Sequence, residues 1–319
     1  MQETQLETTQ LGTTGMEITR LGFGAWAIGG GGWEAGWGPQ EDADSIAAIQ
    51  RALELGVGWI DTAAAYGFGR SERVVGRALE GLAQRPCIFT KCSLLEGPGR
   101  RIEHSLKRDS ILREAEASLE RLGIDAIDLY QIHWPIPDED IEEGWGALAE
   151  LKDRGLVRHI GVSNFDIQQL RRIQQIAPVE TLQPQYSLIV REAEDEVLPF
   201  CEQEGIGVIV YSPMGSGLLT GKMTRERIAA LPDDDWRKHD SRFNEPELSR
   251  HLATGERLRS VADRYDTSPG AVAVAWALRN PAVDGAIVGF RRPDQVDPIV
   301  GAANLELTDD DVAEIEGRQ

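Results

Sequence analysis

Cysteine is scarce: Cys87, Cys92 and Cys201 are the three in 319 residues, and none forms a Cys-x-x-Cys pair. Three thiols close no paired disulfide framework, so a reducing, cytoplasmic setting is expected. Cys92 follows Lys91, where a neighbouring cation activates a thiol; its other reading is a small buried residue. Long apolar runs are missing as well. No stretch approaches the ~20 residues of a membrane span, and the first ten residues lack the apolar core of a secretory leader, so no membrane partner is expected. Basic charge is outnumbered, with 33 Lys and Arg against 53 Asp and Glu and a formal net charge of −20. A phosphate backbone is repelled by such a surface, which excludes a nucleic-acid partner. A solvated acidic surface explains the charge, and adaptation to high salt is the alternative. Five histidines show no His-Glu-x-x-His spacing, so no metal centre is expected. The Gly-x-Gly-x-x-Gly fingerprint is also absent: the glycines of Gly29–Pro39 are out of register and open no helix.

What the sequence does have is alternation. Short apolar runs, Leu21–Gly24, Val57–Ile60, Cys87–Thr90, Ile127–Ile132, Arg158–Ile160, Val179–Leu182, Gly207–Val210 and Ala286–Val288, give eight strand candidates. Helical periodicity fills most gaps between them. Ile46, Ile49, Ala52 and Leu53 share a face that ends at Gly56, and Leu112, Ala115, Leu119 and Leu122 share one that ends at Gly123. Ser71 with Glu72, Ser110, Ser268-Pro269 and Thr308 are the expected helix starts. Strands alternating with helices imply parallel pairing through right-handed crossovers. No composition break divides the chain. The expected fold is therefore α/β, one (β/α)8 TIM barrel over residues 1–319. Residues 1–8 are expected to be loose, and glycines at 12 and 15 set a small N-terminal hairpin on the barrel floor. The polar segment from Gly221 to about Arg250 breaks the rhythm and reads as a long lid loop or disorder. The tryptophans of the glycine-rich stretch either wall a pocket or sit half-buried in a surface loop.

Three successive strands end on ionisable residues. Val57–Ile60 opens into Asp61 and Tyr66, Cys87–Thr90 into Lys91, and Ile127–Ile132 into His133. In a parallel barrel these ends share one rim, so groups distant in sequence converge. Each has a duller reading taken singly: a turn cap, a solvated lysine, a wall aromatic, a core histidine. Together they compose a proton-donating site. Charge growing on a carbonyl oxygen calls for a proton or strong hydrogen bonds. Tyrosine is a weak acid, with a free pKa of about 10. An adjacent Lys91 ammonium is expected to lower that value, with Asp61 holding the ammonium, neutral His133 orienting the carbonyl, and Tyr66 giving the proton. Ser163, Asn164 and Gln183 follow later strands and suit a carboxamide, while Tyr211 suits a flat ring.

These residues also carry a resemblance. Asp61-Thr62-Ala63-Ala64-Ala65-Tyr66-Gly67, Thr90-Lys91, Gln131-Ile132-His133-Trp134-Pro135, Gly161-Val162-Ser163-Asn164-Phe165 and Tyr211-Ser212-Pro213-Met214-Gly215 resemble, in order and over nearly the whole chain, the motifs of the aldo-keto reductases. The resemblance implies that nicotinamide is the flat ring, with Ser163, Asn164, Gln183 and Tyr211 around it. It also lays Ser212 and the backbone from Gly215 through Leu218 to Leu219 along the pyrophosphate. In Gly289-Phe290-Arg291-Arg292-Pro293-Asp294-Gln295, the two guanidinium groups suit a phosphate monoester, which favours NADPH over NADH. A plain surface pair is the alternative. Lys222 is a further phosphate candidate. Pro298-Ile299 departs from the Glu-Asn that many members carry at the adenine. Trp26, Trp33, Trp37 and Trp134, with Tyr66, suit an apolar or aromatic carbonyl substrate. The expectation is an NADPH-dependent aldehyde or ketone reductase, with the oligomeric state open and a monomer favoured. A nucleotide-binding regulatory subunit similar to the potassium-channel β-subunits has the same motifs, and an isomerase or lyase on a similar barrel is the third reading.

Overall fold

Eight parallel strands close into a barrel in a computed structural model that describes residues 5–318. Before them, β1 (Thr8–Gln10) and β2 (Glu17–Thr19) pair as an antiparallel hairpin. The barrel strands are β3 (Leu21–Gly24), β4 (Trp59–Asp61), β5 (Cys87–Cys92), β8 (Ile127–Ile132), β9 (Val157–Ser163), β10 (Thr181–Gln183), β11 (Gly207–Tyr211) and β12 (Gly285–Gly289), with β12 pairing β3 to close the ring. All eight expected strands are present. A second antiparallel hairpin, β6 (Leu94–Glu96) with β7 (Ile102–His104), follows β5 at the rim; the sequence reading missed it.

Outside the strands lie α1 (Asp42–Glu54), α2 (Arg70–Leu79), α3 (Arg108–Leu122), α4 (Ile141–Asp153), α5 (Ile167–Ile173), α6 (Val197–Glu204), α7 (Arg225–Ala229), α8 (Glu247–Arg264), α9 (Pro269–Leu278), α10 (Asp297–Val300) and α11 (Asp309–Glu316). Their apolar faces and the outward side chains of the strands form one continuous core. A separate cluster fills the barrel: Trp59, Phe89, Leu129, Ile209 and Ile287, plugged from below by Leu11 and Ile18 of the first hairpin. Gly22 makes room for it, since a Cβ there would fall 2.2 Å from the Trp59 ring. The interior is thus packed below, and chemistry is left to the rim.

Several local expectations change. Leu6 is buried and Thr8 pairs with Thr19, so order begins within the segment expected to be loose; residues 1–4 lie outside the described residues. Ser268 and Thr308 cap their helices as expected. Ser71 and Ser110 do not: α2 starts after Gly69, in the left-handed region at φ 86°, and α3 starts after Lys107. Both serines lie inside their helices, bonded to buried partners. The segment from Gly221 is neither loose nor open. It contains α7 and two single-turn helices, and α8 begins at Glu247. Leu218, Met223, Ile228, Phe243 and Leu248 give it a small core of its own. It is a folded strap, because enough apolar residues are spaced through its polar sequence to bury one another.

Candidate active site

The rim gathers the four ionisable residues in one place. Lys91 is fully buried at the end of β5, and its Nζ donates to Asp61 Oδ1 at 2.5 Å, the Thr62 carbonyl at 3.0 Å and the Tyr66 hydroxyl at 3.3 Å. Asp61 Oδ2 accepts from Gln183 Nε2 at 2.9 Å and Gln131 Nε2 at 3.5 Å, so both oxygens of this buried carboxylate are engaged. The His133 ring meets the Tyr66 ring edge-on with centroids 5.6 Å apart, and its backbone N–H donates to Cys92 O. Its Nδ1 is buried without a partner among the described residues.

Burial decides the electrostatics here. It pushes the Tyr66 phenol well above its ordinary value, and the Asp61 charge adds to the rise. The expected lowering by Lys91 is overturned, since loss of solvent around a phenolate outweighs one adjacent cation that Asp61 already neutralises. Lys91 itself is lowered by burial, with Asp61 opposing. His133 is held well below the ordinary imidazole value by burial, then by Lys91 and His104. Near neutrality the site therefore holds a protonated phenol, a lysine clamped to a carboxylate, and a neutral imidazole.

A cleft of about 730 Å³ runs from these residues across the rim to Ile299. Trp26, Trp33, Trp37 and Trp134 all line it, as do Leu94 and Ile102 of the second hairpin. Indole N–H groups fold the glycine-rich loop, Trp26 donating to Ala35 O and Trp33 to Gly30 O, each at 3.0 Å. Trp134 stands 39% exposed at the mouth. The strap closes the other side. Trp236 stacks on Trp26 with centroids 5.2 Å apart, its backbone N–H donates to Gly36 O, and Arg237 lies 4.4 Å over the Trp37 ring while paired with Asp235 at 2.7 Å. Trp236 and Arg237 escaped the sequence reading; an aromatic within a polar, acidic stretch was the available signal.

The residues assigned to a carboxamide are interlocked. Ser163 Oγ donates to Gln183 O at 2.7 Å, Asn164 Nδ2 to His133 O at 3.0 Å, and the Tyr211 hydroxyl to Asn164 Oδ1 at 2.9 Å. Ser212, Ser216, Gly217, Lys222, Gly289, Arg291, Arg292 and Gln295 line the rest of the cleft. Gly215 and Leu218 lie behind this surface: Gly215 packs on Ile189, and Leu218 belongs to the strap core. Arg291 is committed inward, donating to Gln40 Oε1 at 2.6 Å, Trp37 O at 3.0 Å and Pro39 O. Arg292 extends outward and forks onto Asp294. Gln295 Oε1 accepts the backbone N–H of both arginines. Pro298 and Ile299 line the far end. Three buried polar atoms in this lining, His133 Nδ1, Trp37 Nε1 and Ser216 Oγ, have no partner among the described residues. An elongated cleft with aromatic walls and unanswered polar atoms fits a dinucleotide as ligand. Among the described residues no group of three or more His, Cys, Asp or Glu has the geometry of a metal site, and no helix is long and apolar enough to cross a membrane.

Comparison with known proteins agrees with this geometry. The sequence model of the Aldo/keto reductase family matches residues 20–318. The chain is 39% identical over 312 residues to the aldo-keto reductase YhdN of Bacillus subtilis, covering 97% of this chain and 92% of that one. It is 36% identical over 317 residues to the NADH-specific methylglyoxal reductase of Escherichia coli, covering 94% of each. Among solved structures, the glycerol dehydrogenase of Gluconobacter oxydans superposes with a TM-score of 0.88 at 34% identity, over 100% of this chain and 95% of that one.

Proposed function

Because the chain belongs to the Aldo/keto reductase family and is an NAD(P)H-dependent oxidoreductase, we propose that it reduces small aldehydes or ketones to alcohols with Tyr66 as the proton donor. The observation carrying this reading is the Lys91 ammonium set between Asp61 and the Tyr66 hydroxyl. The dinucleotide, when bound, supplies the hydride. The chain supplies the rest. Tyr66 presents a phenol that keeps its proton across the neutral range, ready for an oxygen that becomes basic only as charge develops on it. Lys91 steadies the phenolate left behind, and Asp61 holds the lysine. Neutral His133 offers a hydrogen bond to the carbonyl oxygen without competing as an acid. Burial strengthens each of these interactions by excluding water.

Ser163, Asn164 and Gln183 are the proposed carboxamide contacts and Tyr211 the stacking platform. Ser212 and the turn at Gly215 to Leu218, which faces the cleft through Ser216 and Gly217, are the proposed pyrophosphate cradle. The proposed cofactor is NADPH, its extra phosphate met by Arg292 and Lys222. NADH is the second reading. It is supported by the NADH-specific relative and by Arg291, whose guanidinium is engaged by the loop at 37–40. The wall of Trp26, Trp33, Trp134, Leu94 and Ile102 suits an apolar or aromatic carbonyl. Three unpaired cysteines fit a cytoplasmic protein. A steady-state assay with NADPH and NADH against aromatic, aliphatic and 2-oxo aldehydes tests the reading: multiple turnovers are expected, and binding of dinucleotide without turnover of any of them would refute it.

A further inference from the structure

The first turn of α2 buries two polar side chains completely, Ser71 and Glu72. Neither caps the helix and neither lines the cleft. Each instead reaches a threonine next to one of the ionisable rim residues. Ser71 Oγ gives its single proton to Ala25 O at 2.8 Å, and so accepts from the Thr62 hydroxyl at 2.9 Å. Thr62 follows Asp61, and its carbonyl accepts from Lys91 Nζ at 3.0 Å. Glu72 Oε1 accepts from the hydroxyl of Thr90, the residue before Lys91, at 2.6 Å. Glu72 Oε2 accepts from Arg121 Nε on α3, also at 2.6 Å.

Stability alone accounts poorly for this arrangement. Taking a carboxylate and a guanidinium out of water is costly, and an apolar pair of similar volume often serves a fold as well. Such a pair could neither hold Thr90 by a charge-assisted bond nor put a second negative charge behind a buried ammonium. We propose that Ser71 and Glu72 are positioning residues, a clip by which α2 grips the ends of β4 and β5. The clip keeps the Asp61 carboxylate, the Lys91 ammonium and the Tyr66 hydroxyl in line, and the Glu72 charge supports the ammonium. The inference rests on the proposed roles of Tyr66 and Lys91.

The groups facing Lys91 are Asp61 on β4, Tyr66 in the following loop, His133 after β8 and Glu72 on α2. Asp61 and Glu72 strengthen its hold on the proton, burial weakens it, and His133 is neutral. Removing the Glu72 charge therefore lets Lys91 deprotonate at lower pH.

The test is E72Q, which keeps the volume and an oxygen for Thr90 but removes the charge. In reduction, kcat is expected to fall about tenfold with KM within about twofold, and the alkaline limb of kcat to move down by about half to one pH unit. A packing role would leave the limb in place, so a superimposable pH profile with unchanged kcat overturns the proposal. T90V preserves the Glu72–Arg121 pair and decides the matter should E72Q fail to fold: kcat lowered about threefold or more supports the clip, and wild-type kcat overturns it. Y66F run in parallel separates the two levels, because normal turnover there defeats the reading of Tyr66 whatever the α2 variants do.

Discussion

Lys91 Nζ stands 2.5 Å from Asp61 Oδ1 and 3.3 Å from the Tyr66 hydroxyl, so one buried ammonium faces both a counter-charge and the proposed proton donor. Tyr66→Phe keeps the ring and removes the proton. Turnover is expected to fall by about 10²- to 10⁴-fold, the range usual for loss of a general acid. Dinucleotide affinity, read by fluorescence titration, should change little. Turnover at the wild-type rate would eliminate Tyr66 as the acid.

The pH dependence follows from burial. Tyr66 lies well above its ordinary range and His133 well below its own, so neither titrates near neutrality. Lys91 is lowered from its ordinary 10.5, and the proposed mechanism requires its charged form. A profile of kcat against pH should be flat through neutrality and fall on the alkaline side, below 10.5. An acidic limb centred near 6.5 would mean that His133 titrates and is not the neutral group proposed.

Arg291 and Arg292 are adjacent in sequence but differ in environment. The first pins the loop at 37–40, and the second pairs with exposed Asp294. Arg292→Ala is expected to weaken NADPH by about tenfold, the scale of a lost charged hydrogen bond, and to spare NADH. Arg291→Ala should weaken both dinucleotides, because the loop is released. Direct titrations with each dinucleotide check this, and an unchanged affinity ratio in Arg292→Ala would remove that residue from phosphate recognition.

Trp236 lies over Trp26 with ring centroids 5.2 Å apart and an interplanar angle of 15°. Trp236→Ala should loosen the strap and the cleft wall behind the proposed substrate. The expected result is a several-fold higher KM for an aromatic aldehyde with a smaller change in kcat, and faster proteolysis between residues 221 and 246. Equal KM and equal protease resistance would show that the strap holds without this stack.

Glu114 accepts from Ser93 N at 3.0 Å and Ser110 Oγ at 3.1 Å, yet burial pushes its carboxyl up to about 7 from an ordinary 4.5. A folded-state value above the unfolded one means that ionisation opposes folding. The penalty is absent below 4.5, grows as pH rises toward 7, and is fully developed above it. A shift of that size corresponds to ~3 kcal/mol. Glu114→Gln should therefore raise the melting temperature at pH 8 by more than at pH 5. An equal change at both pH values would show that the carboxyl titrates alike in the folded and unfolded chains.

The barrel was legible in the sequence because its evidence is local and repeated. Eight apolar runs with helical periods between them admit few arrangements, and the ends of parallel strands share a face whatever the side chains are. Asp61, Tyr66, Lys91 and His133 could be grouped on that ground alone. Ser71 and Glu72 could not be read correctly, since a hydroxyl and an acid at a helix start look the same whether they cap free N–H groups or reach threonines on two strands. The segment from Gly221 could be read as a lid or disorder but not as a strap with its own core: its apolar residues are too sparse to show a period, and only folding brings Leu218, Ile228 and Phe243 together. Spacing likewise says nothing about solvent, and the ionisation of Tyr66 is decided by how much water the finished cleft leaves beside the phenol. Local pattern determined the elements and their order; contact and desolvation, which belong to the folded molecule, decided what the rim residues touch and which of them keep their protons.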